Sequence, residues 1–346
     1  MDILFNLVHC GLGNNGGSQT LIRAAKGLSD LGHNVKILLD KPSRFTWFDV
    51  DNSLIHMVNN PDKQSEWPKC DIIMATGCTT VDGTVKYPHV SDDKKFYWVR
   101  GYEKWTTMGI EKLNKTYSLI DNVIVNSKWL CDFLYEDFNV KSRIQYSGLP
   151  IDEINKVIRE YNASEPVITN GKKPLVIGAL YSSKESKRFD DVIDIVNELN
   201  SKFPVELYIF GNESFQTAKY KMPFKCYYYQ QPSFENKILM MTKCDIWLST
   251  TENEGMHIPP MEAGLSGCNL VARCYRSSGV SDYAIEGYSS KNYNSTGEAI
   301  VKIMEYWSNP KEMAEHSLNL LEILFFKIGS VEENVKKLES VFLNSL

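Results

Sequence analysis

The feature that most limits what this chain can fold into is an alternation. Short unbroken apolar runs give way to stretches with apolar residues at helical spacing, repeatedly, in two blocks separated by one polar interruption. Unbroken apolar runs of strand length suit strands covered on both faces, and parallel neighbours of that kind need a crossover, usually a helix. The pattern therefore predicts an α/β protein with two parallel sheets, each wrapped by helices. A chain of 346 residues is long enough for both to bury a core.

In the first block, strands are expected at Ile3 to Val8, Val35 to Leu39, Asp71 to Ala75, Phe96 to Val99 and Asn122 to Val125. Leu21, Ile22, Ala25, Leu28 and Leu31 recur as one helix face, which Gly32 ends. Ser127 is placed to cap a helix carrying Trp129, Leu130, Phe133 and Leu134. Tyr161 to Pro174 is polar and turn-rich, as an interdomain connection would be. Beyond it, runs at Leu175 to Ile177, Glu206 to Phe210, Cys226 to Tyr229, Asp245 to Leu248 and Leu270 to Ala272 predict the second sheet. The expected organisation is a Rossmann-like domain over 1–165 and another over 171–331, with an amphipathic helix over 332–346 as a candidate to pack back on the first.

Partners are narrowed by charge and by what the chain lacks. A formal net charge of -5 gives no general attraction to polyanions, so nucleic acid is not the default partner. The N-terminal Met-Asp-Ile-Leu-Phe-Asn-Leu-Val has no basic start and reads as a strand rather than a signal peptide, and no apolar stretch reaches bilayer length. The eight cysteines are scattered, with no Cys-x2-Cys pair and no metal-ligand spacing to histidine. That usage fits reduced thiols of a cytoplasmic protein without a metal.

The stretch richest in chemistry is Glu254-Gly-Met-His-Ile-Pro-Pro-Met-Glu262, directly after the strand expected at Asp245 to Leu248. Proline tolerates a first helical turn, so Pro260 predicts a helix start with Glu262 in that turn. Free backbone N–H groups there would favour a phosphorylated ligand, and two carboxylates could accept bonds from sugar hydroxyls. Either glutamate alone would equally suit a loop charge or a residue complementing the helix dipole. Their joint occurrence with Gly255, the prolines and the turn Ala263-Gly-Leu-Ser-Gly267 is harder to explain that way.

The arrangement resembles the Glu-x7-Glu motif of retaining GT-B glycosyltransferases, family 4 in particular. The similarity extends to Gly16-Gly17 with its following helix and Gly-His-Asn-Val strand entry, to Val123-Ile-Val-Asn-Ser-Lys-Trp-Leu130, and to the turn Ser277-Ser-Gly-Val-Ser-Asp282. It implies two Rossmann-like β/α/β domains facing across a cleft, a nucleotide-sugar donor as substrate, and no cofactor or metal. On this resemblance Glu262 would hold the ribose and Glu254 the donor sugar, with Gly255, Met256 and His257 lining the turn between them. Lys187 matches the family's diphosphate lysine, whereas the arginine position carries Ala179. Lys184, Arg188 or Arg100 are candidates to replace that charge, against the alternative that the first two are solvated loop residues. Gly16 and Gly17 would let backbone approach the donor, and Gly211 ends a strand near the expected nucleobase.

The segment Phe96-Tyr-Trp-Val-Arg-Gly-Tyr-Glu-Lys-Trp105 resembles the family's Tyr-Glu stretch at the catalytic cleft, which makes Arg100 and Glu103 candidates for the acceptor side. The expected activity is retaining transfer of a hexosyl or pentosyl group to a hydroxyl on a glycan or lipid-linked acceptor. The alternatives are transfer to a hydroxymethylated DNA base, a nucleotide-sugar epimerase, and a non-catalytic partner subunit that binds sugar nucleotide.

Overall fold

The computed structural model describes residues 1–164, 173–275 and 277–345. Among these described residues thirteen parallel strands form two sheets. The first comprises β1 (Asp2–Asn6), β2 (Asn34–Leu39), β3 (Ile55–Met57), β4 (Ile72–Ala75), β5 (Lys95–Val99), β6 (Asn122–Val125) and β7 (Ser142–Ile144), in the order β3-β2-β1-β4-β5-β6-β7. The second comprises β8 (Leu175–Leu180), β9 (Val205–Gly211), β10 (Lys225–Gln230), β11 (Ile246–Ser249), β12 (Asn269–Arg273) and β13 (Lys291–Tyr293), in the order β10-β9-β8-β11-β12-β13. Both sheets are doubly wound. Their order reverses between β1 and β4 in one and between β8 and β11 in the other, and ligands bind at the carboxyl ends of such strand pairs.

Every apolar run expected to be a strand is one: β6 matches at both ends, and the others have ends shifted by one to three residues, three in β8. The three strands that the sequence does not announce, β3, β7 and β13, are three residues long and lie at sheet edges. An edge strand is covered on one side only and needs no continuous apolar run. Ser127 does stand at the start of the helix Lys128–Phe138, but its hydroxyl makes no capping bond and has no partner. Trp129, Leu130 and Leu134 are buried there as expected.

The chain divides into two compact units, one of Met1–Gly148 with Ser330–Leu346 and one of Leu149–Gly329. The helix Ile151–Ser164 therefore belongs with the second unit rather than closing the first, and it packs on the helices Phe234–Met241 and Ile258–Leu265. Of the polar stretch read as a linker, residues 165–172 lie outside the described residues.

The last helix, Val331–Leu343, opens with a capping box between Ser330 and Glu333 and packs on the helix Gly16–Asp30. Val335, Leu338 and Phe342 enter the core beside Leu21, Ala25 and Phe96. The approach is close at Gly27, where a Cβ would lie 2.6 Å from Val335 Cγ2. Leu175, Ile177, Ala179, Leu207, Ile246 and Val271 centre the separate core of the second unit.

Candidate active site

In the second unit the loops that follow β8 and β11 are bound to each other. Glu252 N–H donates to the Ser186 carbonyl at 2.8 Å, and Thr250 Oγ1 donates to the Lys187 carbonyl at 2.8 Å. This stitching brings Lys187 against Glu254, to which its ammonium donates a hydrogen bond. Burial, with Lys184 as a repelling neighbour, pulls the Lys187 ammonium down to about 8.

Asn253 and His257, both in left-handed backbone with φ of 53°, bracket the turn that carries Glu254, Gly255 and Met256. Gly279 packs beneath it. A Cβ there would fall 2.0 Å from the Gly255 carbonyl oxygen, while Gly279 N–H donates to the Glu254 carbonyl at 3.0 Å. The turn expected at Ser277 to Asp282 thus supports the glutamate loop directly.

His257 precedes the helix Ile258–Leu265, which begins earlier than Pro260 had suggested. Glu262 consequently lies in the second turn, not the first, so the free N–H groups of a helix start do not serve it. Pro259 and Pro260 in the first turn also lack N–H groups to offer a phosphate. Glu262 is 2% exposed, and Lys237 from the helix Phe234–Met241 donates to both carboxylate oxygens at 2.7 Å.

His257 is buried, with Nδ1 3.3 Å from Ser249 Oγ and Nε2 unpartnered. Burial, reinforced by nearby Lys187, holds its pKa well below the usual imidazole range, so it is neutral at physiological pH.

The candidates for the missing cation separate clearly. Ala179 is fully buried in the second core, so its position has no room for a charged side chain at a binding surface. Arg188 is bound to Asp191 at 2.7 Å and to Glu252 at 3.1 Å, within a cluster that also holds Arg273 and Tyr275, and these acids raise its pKa. Lys184 is exposed. Gly211 serves packing: a Cβ there would lie 2.5 Å from the Tyr181 carbonyl oxygen.

In the first unit the corresponding strand ends are organised by Arg100, which follows β5. Its guanidinium donates to the Gly17 carbonyl and, at 2.6 Å, to the Thr76 carbonyl, tying the first turn of the helix Gly16–Asp30 to the loop after β4. The approach to Gly17 is tight, since a Cβ there would lie 3.2 Å from Arg100 Nη1. Gly16 opens the helix, whose first turn Asn15 caps by accepting from Ser18 N–H at 2.8 Å. Glu103 accepts from Cys78 N–H at 2.6 Å, and with burial it pushes the Cys78 thiol up to about 12. Trp98 is core, whereas Trp105 is 74% exposed.

Lys237 is the residue that sequence reasoning missed. The signal was present, because Lys237 stands three residues after Phe234 and four before Met241, on the apolar stripe of its helix. A cation on such a stripe needs a partner from another element. Among the described residues no cluster of three or more His, Cys, Asp or Glu side chains could hold a metal ion, and no helix is long and apolar enough to cross a membrane.

Two doubly wound parallel sheets with these strand orders define the fold of the GT-B glycosyltransferases. The chain is similar throughout to HepE from Anabaena, solved in complex with UDP, with a TM-score of 0.76, 15% identity and 100% of both chains covered. It is similar also to a glycosyltransferase from Rickettsia africae, with a TM-score of 0.76, 14% identity, 99% of this chain and 98% of that one. A third likeness is to sucrose-phosphate synthase from Thermosynechococcus elongatus, with a TM-score of 0.75, 10% identity, and 99% and 98% covered. No protein-family model matches the sequence, and no curated protein matches it.

Proposed function

We propose that this protein is a nucleotide-sugar-dependent glycosyltransferase that holds its donor at the strand reversal of the second sheet. The observation that carries the reading is the pair of carboxylates at that reversal, Glu254 and Glu262, each met by a lysine from another element. Carboxylates accept hydrogen bonds from sugar hydroxyls, and charge-assisted bonds of that kind contribute about 1.5–3 kcal/mol each. HepE, which shares the fold, has been solved with UDP and with UDP-glucose, and this makes a uridine diphosphate sugar the first donor to try.

In this reading Glu262 accepts from the ribose and Glu254 from the transferred sugar. Lys187 releases Glu254 to neutralise the diphosphate, lowering the barrier as negative charge develops on the leaving group. Transfer proceeds with retention, the leaving phosphate taking the acceptor proton on the same face, without a metal ion. Arg100 and Glu103 shape the acceptor side, and the acceptor is a hydroxyl of a glycan or lipid-linked sugar. The reading is tested by turnover of a panel of nucleotide sugars with the wild type and with Glu262→Ala. Donor hydrolysis or transfer unchanged in the variant would remove Glu262 from the donor site.

A second reading, sugar-nucleotide binding without catalysis, is favoured by Ala179, which leaves the expected second cation without a place. Tight binding with no turnover in the presence of varied acceptors would select it.

A further inference from the structure

We infer that Lys237 and Glu262 act as one recognition pair for the ribose of the nucleotide, so that Lys237 sets a preference for ribonucleotides over 2′-deoxyribonucleotides. The inference rests on the donor-site reading above and adds a residue that the reading does not require. A carboxylate offers about four lone-pair positions and an ammonium three N–H donors. With both Glu262 oxygens taking one N–H each from Lys237 at 2.7 Å, roughly two acceptor positions and one donor remain. That remainder complements a cis-diol, whose hydroxyls both donate and accept.

The position of the pair strengthens the case. Glu262 is 2% exposed, and a carboxylate so buried is costly to the fold unless a partner meets it. Lys237, with 14% of its side chain exposed, supplies one from a different helix. The two side chains therefore orient each other before a nucleotide arrives, and the cation–π contact of Lys237 with the Phe234 ring, 5.3 Å from its centroid, further fixes the ammonium. A deoxyribose would leave part of this buried pair unmatched, and unmatched buried polar groups are what give hydroxyl-reading sites their selectivity.

The test is calorimetric binding of UDP, GDP and ADP and of their 2′-deoxy counterparts to the full-length protein. The wild type is expected to bind at least one ribonucleoside diphosphate about tenfold or more tightly than its deoxy form. Lys237→Met and Lys237→Gln should bring that ratio within about twofold while deoxy binding persists, and Lys237→Arg should preserve it, the bound charge being retained. A full ribose preference in folded Lys237→Gln, or none in the wild type, overturns the pair's role while leaving the donor site intact. Failure of the wild type to bind any of the three diphosphates overturns both.

Discussion

The two strand reversals are built alike and spend their charges differently. In the first unit Arg100 gives its guanidinium to backbone carbonyls of Gly17 and Thr76, and Glu103 takes a backbone N–H from Cys78. In the second unit the charges meet side chain to side chain, Lys187 with Glu254 and Lys237 with Glu262. A backbone carbonyl cannot turn away, so the first arrangement fixes loop shape. A side-chain ion pair can exchange partners when a charged ligand arrives, so the second is poised to respond. The contrast separates a region whose charges are structural from one whose charges are available.

The sharpest way to break this contrast is to remove one member from each side. Glu262→Ala is expected to lower donor turnover by about two orders of magnitude or more, from the loss of two charge-assisted bonds. Steady-state assays would read the change, with Tm confirming that the variant folds. Arg100→Met should instead act on stability. Two carbonyls lose their donor, at about 1–3 kcal/mol each, lowering the denaturation midpoint while UDP binding in calorimetry stays near the wild-type value. A variant with unchanged stability and lost nucleotide affinity would erase the distinction.

Lys187 allows a finer test through pH. Its ammonium is pulled down to about 8, so the charged form prevails below that pH and is lost above it. UDP affinity should therefore be flat on the acid side of 8 and fall by up to about tenfold per pH unit above it, the signature of one proton needed for binding. Lys187→Arg should abolish the fall, because arginine stays charged. The smallest effect is expected from Glu103→Gln, which keeps a hydrogen-bond acceptor for Cys78 N–H but removes the charge. A loss of about 0.5–1.5 kcal/mol in chemical denaturation would fit the structural role.

The sheets were legible because buried parallel strands must be unbroken apolar runs, and residues such as Leu175 to Ile177 or Asn122 to Val125 announce themselves. The edge strands Ile55–Met57, Ser142–Ile144 and Lys291–Tyr293 do not, since each is three residues long and interrupted by polar or charged side chains. At the site, the spacing of Glu254 and Glu262 and the nearness of Lys187 could be read. The turn geometry could not. Pro260 suggested a helix start, yet His257 takes up a left-handed conformation and the helix begins at Ile258, which moves Glu262 on by part of a turn. Arg188 was a reasonable cation by position, and only the fold reveals that Asp191 and Glu252 consume it. Lys237 lies far from Glu262 in sequence, and contacts of that kind depend on how two helices pack.

The terminal helix bears on how the molecule is made. Val335, Leu338 and Phe342 belong to the same core as Ile3, Phe5 and Leu21, whereas the buried residues of the second core lie between Leu175 and Tyr306, with Met313 packed against them. On a ribosome, where domains generally fold as units while the chain emerges, the second unit has all its parts in hand first. The first unit must wait, its helix Gly16–Asp30 left with an uncovered face until the helix Val331–Leu343 follows the second unit out of the ribosome. A unit whose strands are made early is thus finished only after the neighbour inserted into it.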